Sequence, residues 1–285
     1  NGKVLNKKIF KNIYIQPASG DAGGAIGSAL YYWYHEKNNP RNNSNSTTMC
    51  NALLGPKFND TDINKMLIRQ NATFKKYATK ELISKTAKFL ASGKVIGWFQ
   101  GRMEFGPRAL GSRSILADPR DIKMQSKVNL KIKYRESFRP FAPSILVEHL
   151  NDWYDIDVES PYMLYTAPLK AKQRIKNINK NKTSGLDLLK IKRSKVPAVT
   201  HIDFSSRIQT VTKNENVLYY DLIKKFYEIT NCPIILNTSF NVRGEPIVCS
   251  PIDAYKCFIA TDMDYLCIGN YIVSKKQFKK LPINS

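Results

Sequence analysis

The sequence is poor in the residues that usually announce a metal site, a disulfide framework or a membrane span. Histidine occurs three times, at His35, His149 and His201, too far apart in sequence to suggest a zinc cluster. The five cysteines, Cys50, Cys232, Cys249, Cys257 and Cys267, are odd in number and contain no C-x-x-C spacing. They read as reduced, mostly buried thiols of a cytoplasmic protein. No apolar run of about 18 residues is present and no signal-peptide pattern opens the sequence, so no membrane association is expected. Acids are also scarce: Asp and Glu total 23 against 45 Lys and Arg, a formal charge of +22.

What is present is enough hydrophobic residue, 42% of 285, for one large domain or two ordinary ones. The charge points first to nucleic acid. Its location weakens that reading, because residues 170–195 hold ten basic residues and one acid, Asp187, among Asn177, Asn179, Asn181, Ser184 and Gly185. This stretch between Pro168 and Pro197 reads as a solvated loop or insert rather than a recognition helix. Because the first residue is Asn1 and not Met, the chain is expected to be the C-terminal part of something longer.

Residues 9–15 read as a strand, 16–24 as a glycine-rich turn and 25–33 as a helix. The polar run 40–48 marks a boundary. Helix signals recur over 80–92, with Ile83, Ala87 and Leu90 on one face, and strand signals over 95–99. Asp118 and Pro119 are read as the cap and first turn of a helix carrying Met124, Val128 and Ile132. Residues 141–147 read as a strand, and 197–211 as β-rich. A helix through Leu218, Leu222, Phe226 and Ile229 follows, then a buried strand at 233–236. Ser250, Pro251 and Asp253 mark another helix start, and 266–273 reads as one closing strand. The alternation predicts an α/β or α+β class.

Three stretches carry the chemistry. The run Gly101-Arg102-Met103-Glu104-Phe105-Gly106-Pro107-Arg108-Ala109-Leu110-Gly111-Ser112-Arg113-Ser114 follows a strand and interleaves three arginines with three glycines. Cations about 10 Å apart at an effective dielectric near 20 repel by roughly 1.5 kcal/mol per pair, so the run calls for a compensating anion. Phosphate suits it, since arginine pairs with phosphate in bidentate fashion and glycines admit the backbone N–H groups. The structural alternative pairs these arginines with Glu104, Asp118 or Asp121. The second stretch is the basic cluster Lys131, Lys133, Arg135 and Arg139, which ends in the stiff run Arg139-Pro140-Phe141-Ala142-Pro143. The third is 237–246, polar residues at the C-terminal end of a strand, where open α/β sheets bind ligands, with a capped Asn/Ser turn as the alternative. Neither a P-loop nor G-x-S-x-G is present. From the residues alone the reading is an anion-binding α/β enzyme.

Together these runs, with Pro17-Ala18-Ser19-Gly20-Asp21-Ala22-Gly23, Pro197-Ala198-Val199-Thr200-His201 and Arg207-Ile208-Gln209-Thr210-Val211, closely resemble the NodU-type O-carbamoyltransferases of nodulation and antibiotic tailoring. The likeness spans roughly residues 13–273. It implies a YrdC-like twisted mixed sheet with helices at 60–285, carrying the basic insert at 169–196, preceded at 1–45 by the remnant of an actin-like ATPase-type transfer domain. The YrdC-like part would form carbamoyl-adenylate from carbamoyl phosphate and ATP. The transfer part, with a divalent metal ion (iron or magnesium), would pass the carbamoyl group to a hydroxyl of a sugar or natural product. By motif match the catalytic residues would be Arg108, Lys133 and Arg139, the co-substrate-binding residues Arg207, Ser239 and Asn241, and the metal ligand Asp21. Read without the resemblance, Asp21 serves equally well as a helix N-cap. The match lacks most of the transfer domain, so the expectation for this chain is the adenylation half. The rival expectations are a basic RNA-binding module of the YrdC type and a non-catalytic nucleotide-binding fragment. A homodimer is left open.

Overall fold

The computed structural model describes residues 1–41, 49, 52–175 and 191–275. Most of the lysine-rich insert and part of the polar boundary therefore lie outside the described residues. The described elements follow the order α1 (Gly2–Asn6), α2 (Asp21–Tyr31), a π-helical turn (Tyr32–Glu36), α3 (Asp60–Arg69), β1 (Thr73–Lys76), α4 (Thr79–Ala91), β2 (Ile96–Phe99), β3 (Arg113–Ala117), α5 (Met124–Lys131) and β4 (Ala142–Leu146). Then come α6 (Leu150–Trp153), β5 (Tyr165–Pro168), β6 (Ser205–Val211), α7 (Val217–Thr230), β7 (Ile234–Ser239), α8 (Pro251–Ile259), β8 (Tyr265–Ile268) and β9 (Tyr271–Ser274).

The strands form one mixed sheet in the order β1-β9-β8-β2-β3-β7-β4-β6-β5. Only β2/β8 and β4/β6 pair in parallel. Every residue of β2, β3 and β4 is buried, as expected of central strands covered on both faces. Helix α4 buries Leu82, Ile83, Thr86, Ala87 and Leu90, and packs on α7, which buries Tyr219, Leu222, Ile223 and Phe226. Each such large apolar side chain contributes about 1.5–3 kcal/mol on burial. The Asn216 side chain caps α7 by accepting the Tyr219 N–H, and α8 opens with the full Ser250/Asp253 capping box.

Several expectations change. Residues 9–15 pair with no strand among the described residues, and Ile9, Phe10 and Tyr14 stand exposed. The helix carrying Met124 and Val128 starts at Met124, so Asp118 caps nothing and instead binds Arg120 at 2.6 Å. Ile229 is exposed, and Tyr219 and Ile223 join the buried stripe in its place. The β-rich stretch 197–211 is a 3-10 turn at Pro197–Val199 followed by β6. The closing strand is a hairpin, β8 and β9, broken at Gly269 and Asn270. The flanks of the insert are partly built into the body: Arg174 and Ser194 bridge antiparallel, and Arg193 and Ser194 are buried.

The first 18 residues touch the α/β body at a few points. Asn1 Nδ2 donates to the Leu164 carbonyl at 3.2 Å, Gly2 lies against Thr166, Leu5 and Ile15 cover core side chains, and Ala18 lies against Gly106. Helix α2 beyond them buries no residue. Among the described residues no helix is long and apolar enough to cross a membrane.

Candidate active site

The loop between β2 and β3 is built around a carboxylate. Glu104 is buried, and its Oε1 accepts the backbone N–H groups of Leu110 at 2.6 Å, Ser112 at 2.8 Å and Arg113 at 3.4 Å. Burial pushes its pKa up, and these N–H donors pull it back. Trp98 Nε1 donates to the Gly111 carbonyl at 2.9 Å, pinning the end of the loop to β2. The three arginines separate in role. The Arg113 guanidinium lies 3.5 Å from the Phe99 ring and donates to the carbonyls of Gln100, Pro56 and Gly101, so it is a structural group of the core. Burial lowers its pKa to about 10. Arg102 is exposed and reaches the Leu54 carbonyl at 3.1 Å. Only Arg108 faces the ligand cleft, which corrects the expectation that all three arginines of the run answer one anion.

The cleft, of about 380 Å³, lies at the end of the sheet where β7 finishes and the antiparallel β4 begins, with β6 starting alongside. Among the described residues four guanidinium side chains line it, Arg108, Arg135, Arg139 and Arg207, and no carboxylate does. Arg207 stands opposite Thr166 of β5, and burial followed by the nearby Arg108 lowers its pKa to about 10. Nε of Arg108 and Nε of Arg207 are buried with no hydrogen-bond partner. Arg135 donates from Nε to Asn129 Oδ1 at 2.7 Å, and burial followed by Arg139 lowers its pKa to about 10. The Arg139 side chain is exposed, but its carbonyl accepts from Gln125 Nε2 and Asn129 Nδ2, which fixes the stiff proline-flanked run. Like charges crowded in a partly dry cleft repel, and a bound anion removes that repulsion while adding charge-assisted hydrogen bonds of about 1.5–3 kcal/mol each.

Lys133 does not line the cleft. It lies beneath the turn after β7, 3% exposed, and its Nζ donates to the Ser239 carbonyl and Oγ, the Asn241 carbonyl at 3.0 Å and Asn241 Oδ1 at 2.6 Å. Ser239 Oγ also donates to Asn241 Oδ1 at 2.8 Å. Lys133 is thus the hub of the Ser239–Asn241 turn, and of these three residues only Ser239 lines the cleft. Burial first, and Arg135 second, push its pKa down to about 7.

At the cleft wall Asn237 joins a hydrogen-bonded network with Ser144 and Gln209 behind it. Asn237 Nδ2 donates to the Ala109 carbonyl at 3.1 Å, Gln209 Oε1 at 2.9 Å and Ser144 Oγ at 3.1 Å. Gln209 Nε2 donates to the Leu110 carbonyl at 2.9 Å, Ser144 Oγ donates to Gln209 Oε1 at 2.6 Å, and the Tyr219 hydroxyl donates to Ser144 Oγ at 2.8 Å. Strand alternation places Asn237 and Ser239, Arg207 and Gln209, and Ala142 and Ser144 each on one face.

A second hollow of about 370 Å³ adjoins the first, sharing Pro140, Phe141 and His201 and adding Phe138, Val199 and Ile202. His201 Nδ1 is 3.1 Å from Ser205 Oγ, and burial above all lowers its pKa, which favours the neutral imidazole. Asp21 is remote from this arrangement in the sequence and stands exposed in the first turn of α2, after Gly20 at the N-cap. Its carboxylate suits the positive end of the helix rather than capping it. Among the described residues no group of three or more His, Cys, Asp or Glu could hold a metal ion.

Arg135, Asn237 and His201 line the cleft although the sequence reading did not select them as site residues. Arg135 was marked only by its place in the basic cluster. The signal for Asn237 was a polar residue, two before Ser239, at the end of an apolar strand.

Comparison with known proteins supplies the lineage. Residues 87–275 match the family described as Carbamoyltransferase C-terminus, and residues 1–30 match Carbamoyltransferase N-terminus. The chain is 50% identical over 278 residues to the uncharacterized protein sll1178 of Synechocystis, covering 96% of this chain and 45% of that one. It is 38% identical to the nodulation protein NolNO of Sinorhizobium fredii, over 97% of this chain and 38% of that one. It is 30% identical to the 3'-hydroxymethylcephem-O-carbamoyltransferase of Streptomyces clavuligerus, over 84% of this chain and 39% of that one. The chain thus spans less than half the length of these relatives, and across its longer matched region, which contains every residue of the arginine-lined cleft, it belongs to the carbamoyltransferase family.

Proposed function

We propose that the cleft is the carbamoyl-activating site of a YrdC-like domain in an O-carbamoyltransferase, and that residues near the N-terminus belong to its actin-like transfer domain. The observation that carries this reading is four arginines lining one cleft that no carboxylate lines among the described residues. In the proposed reaction carbamoyl phosphate, ATP and one water become carbamoyl-adenylate, pyrophosphate and phosphate. Water first releases carbamate and phosphate. The carbamate oxygen then attacks the α-phosphorus of ATP, the bond from that phosphorus to the oxygen bridging to β breaks, and pyrophosphate leaves with the electron pair.

Arg108 and Arg207 would hold the phosphate of carbamoyl phosphate, and Arg135 and Arg139 the triphosphate. Fixed cations act here by positioning and by neutralising charge as it moves between oxygens. Lys133 would keep Ser239 and Asn241 in place beneath them. The adjoining hollow, lined by Phe138, Pro140 and Ile202, suits a nucleobase. The transfer step, its metal and its hydroxyl acceptor fall to parts of the longer relatives that this chain does not span. The name of the Streptomyces relative, which specifies a hydroxymethyl acceptor, supports a small-molecule hydroxyl as the acceptor class.

The test is carbamoyl-phosphate-dependent exchange of labelled pyrophosphate into ATP, alongside titration with inorganic phosphate. Exchange should appear only with carbamoyl phosphate and fall about 100-fold in Arg139→Ala. Undiminished exchange in that variant, or no phosphate binding by the wild-type chain, would overturn the assignment.

A further inference from the structure

The polar atoms the cleft leaves without partners are of two kinds. Nε of Arg108 and Nε of Arg207 are buried donors, and Oδ1 of Asn237 is a buried acceptor. All three residues line the cleft, and Asn237 is 1% exposed. The orientation of the Asn237 amide follows from its surroundings. The Ala109 carbonyl can only accept, so it must face Nδ2. Gln209 is oriented in the same way by the Leu110 carbonyl, which leaves its Oε1 to accept from Asn237. Tyr219 and Ser144 lock the far side of the network. Oδ1 is therefore an acceptor held rigidly and kept from bulk water.

The dianionic phosphate group of an acyl phosphate answers the two arginine donors and, carrying no proton of its own, offers nothing to Oδ1. A ligand carrying a phosphate and a neutral N–H donor answers all three. We propose that Asn237 Oδ1 accepts a hydrogen bond from the amide N–H of the carbamoyl group, making Asn237 the residue by which the cleft selects carbamoyl phosphate over other acyl phosphates. The inference rests on the carbamoyl-activating reading of the cleft. Ser144, Gln209 and Tyr219 are positioning residues that act through Asn237. A buried acceptor left unanswered by the wrong ligand is a strong discriminator, stronger than a difference in apolar bulk.

Acetyl phosphate replaces the NH2 by a methyl group of similar size and is the natural control. In calorimetric titrations of the full 285-residue chain, carbamoyl phosphate should bind about tenfold or more tightly than acetyl phosphate. Asn237→Ala should bring that ratio close to one. A wild-type ratio near one overturns the proposal, as does an undiminished ratio in a folded Asn237→Ala. If that variant does not fold, the wild-type ratio decides alone. Phosphate binding without discrimination would defeat this inference and leave the activating site standing, whereas absence of phosphate binding would defeat both.

Discussion

Lys133 gives the cleft wall a pH dependence whose sign can be worked out. Its folded pKa lies at about 7, below the ordinary 10.5, so between those values the unfolded chain binds more protons. Its contribution to stability therefore rises with pH through that window. A bound anion favours the ammonium and reverses the trend for binding. Phosphate binding near pH 7.5 should draw up a fraction of a proton, and affinity should weaken as pH rises across roughly 6–8. Calorimetry in buffers of different protonation enthalpy reads this directly. No proton uptake by the wild type, or equal uptake by Lys133→Met, would refute it. The residue types at this site were legible in the sequence, but their directions were not. Arg108 and Arg113 occupy the same glycine-rich run, yet one lines the cleft and the other lies over Phe99.

Helix α4 could be read nearly to the residue because its apolar stripe is a local signal, and the start of α8 because its capping box is another. The hairpin of β8 and β9 was hidden because two buried strands joined at Gly269 and Asn270 look like one apolar run. Residues 9–15 failed in the opposite way: β-prone residues do not make a strand without an edge to pair with. The turn leading into β3 depends on backbone geometry that no side-chain pattern reveals. Gly111 has φ of 105°, and a Cβ there would sit 2.2 Å from the Tyr219 ring. Gly111→Ala should therefore cost about 3 kcal/mol or more, combining strain with overpacking in the core. Gly93→Ala is the control: φ is 76° but the space is open, and the cost should stay near 1 kcal/mol. Chemical denaturation of both variants checks the contrast, and equal losses would contradict it.

At the scale of the whole molecule the +22 charge divides into a functional and an incidental part. The cleft concentrates four arginines, while residues 176–190 add Lys176, Lys180, Lys182 and Lys190 within a stretch whose flanks are already joined. Arg174 bridges Ser194, and the Ile175 N–H reaches the Arg193 carbonyl at 3.0 Å. Replacing 176–190 by a short Asn-Gly turn should keep phosphate affinity within about threefold, since the cleft carries four arginines of its own. A tenfold loss would show that the insert's lysines reach the cleft. The contact between Trp98 and Gly111 has a further use. It ties an indole in the centre of the sheet to the loop that carries Arg108, so movement of that loop on ligand binding would alter the indole's surroundings. Intrinsic fluorescence should then follow cleft occupancy without an added dye, and Trp98→Phe should silence the change while exposed Trp33 continues to emit.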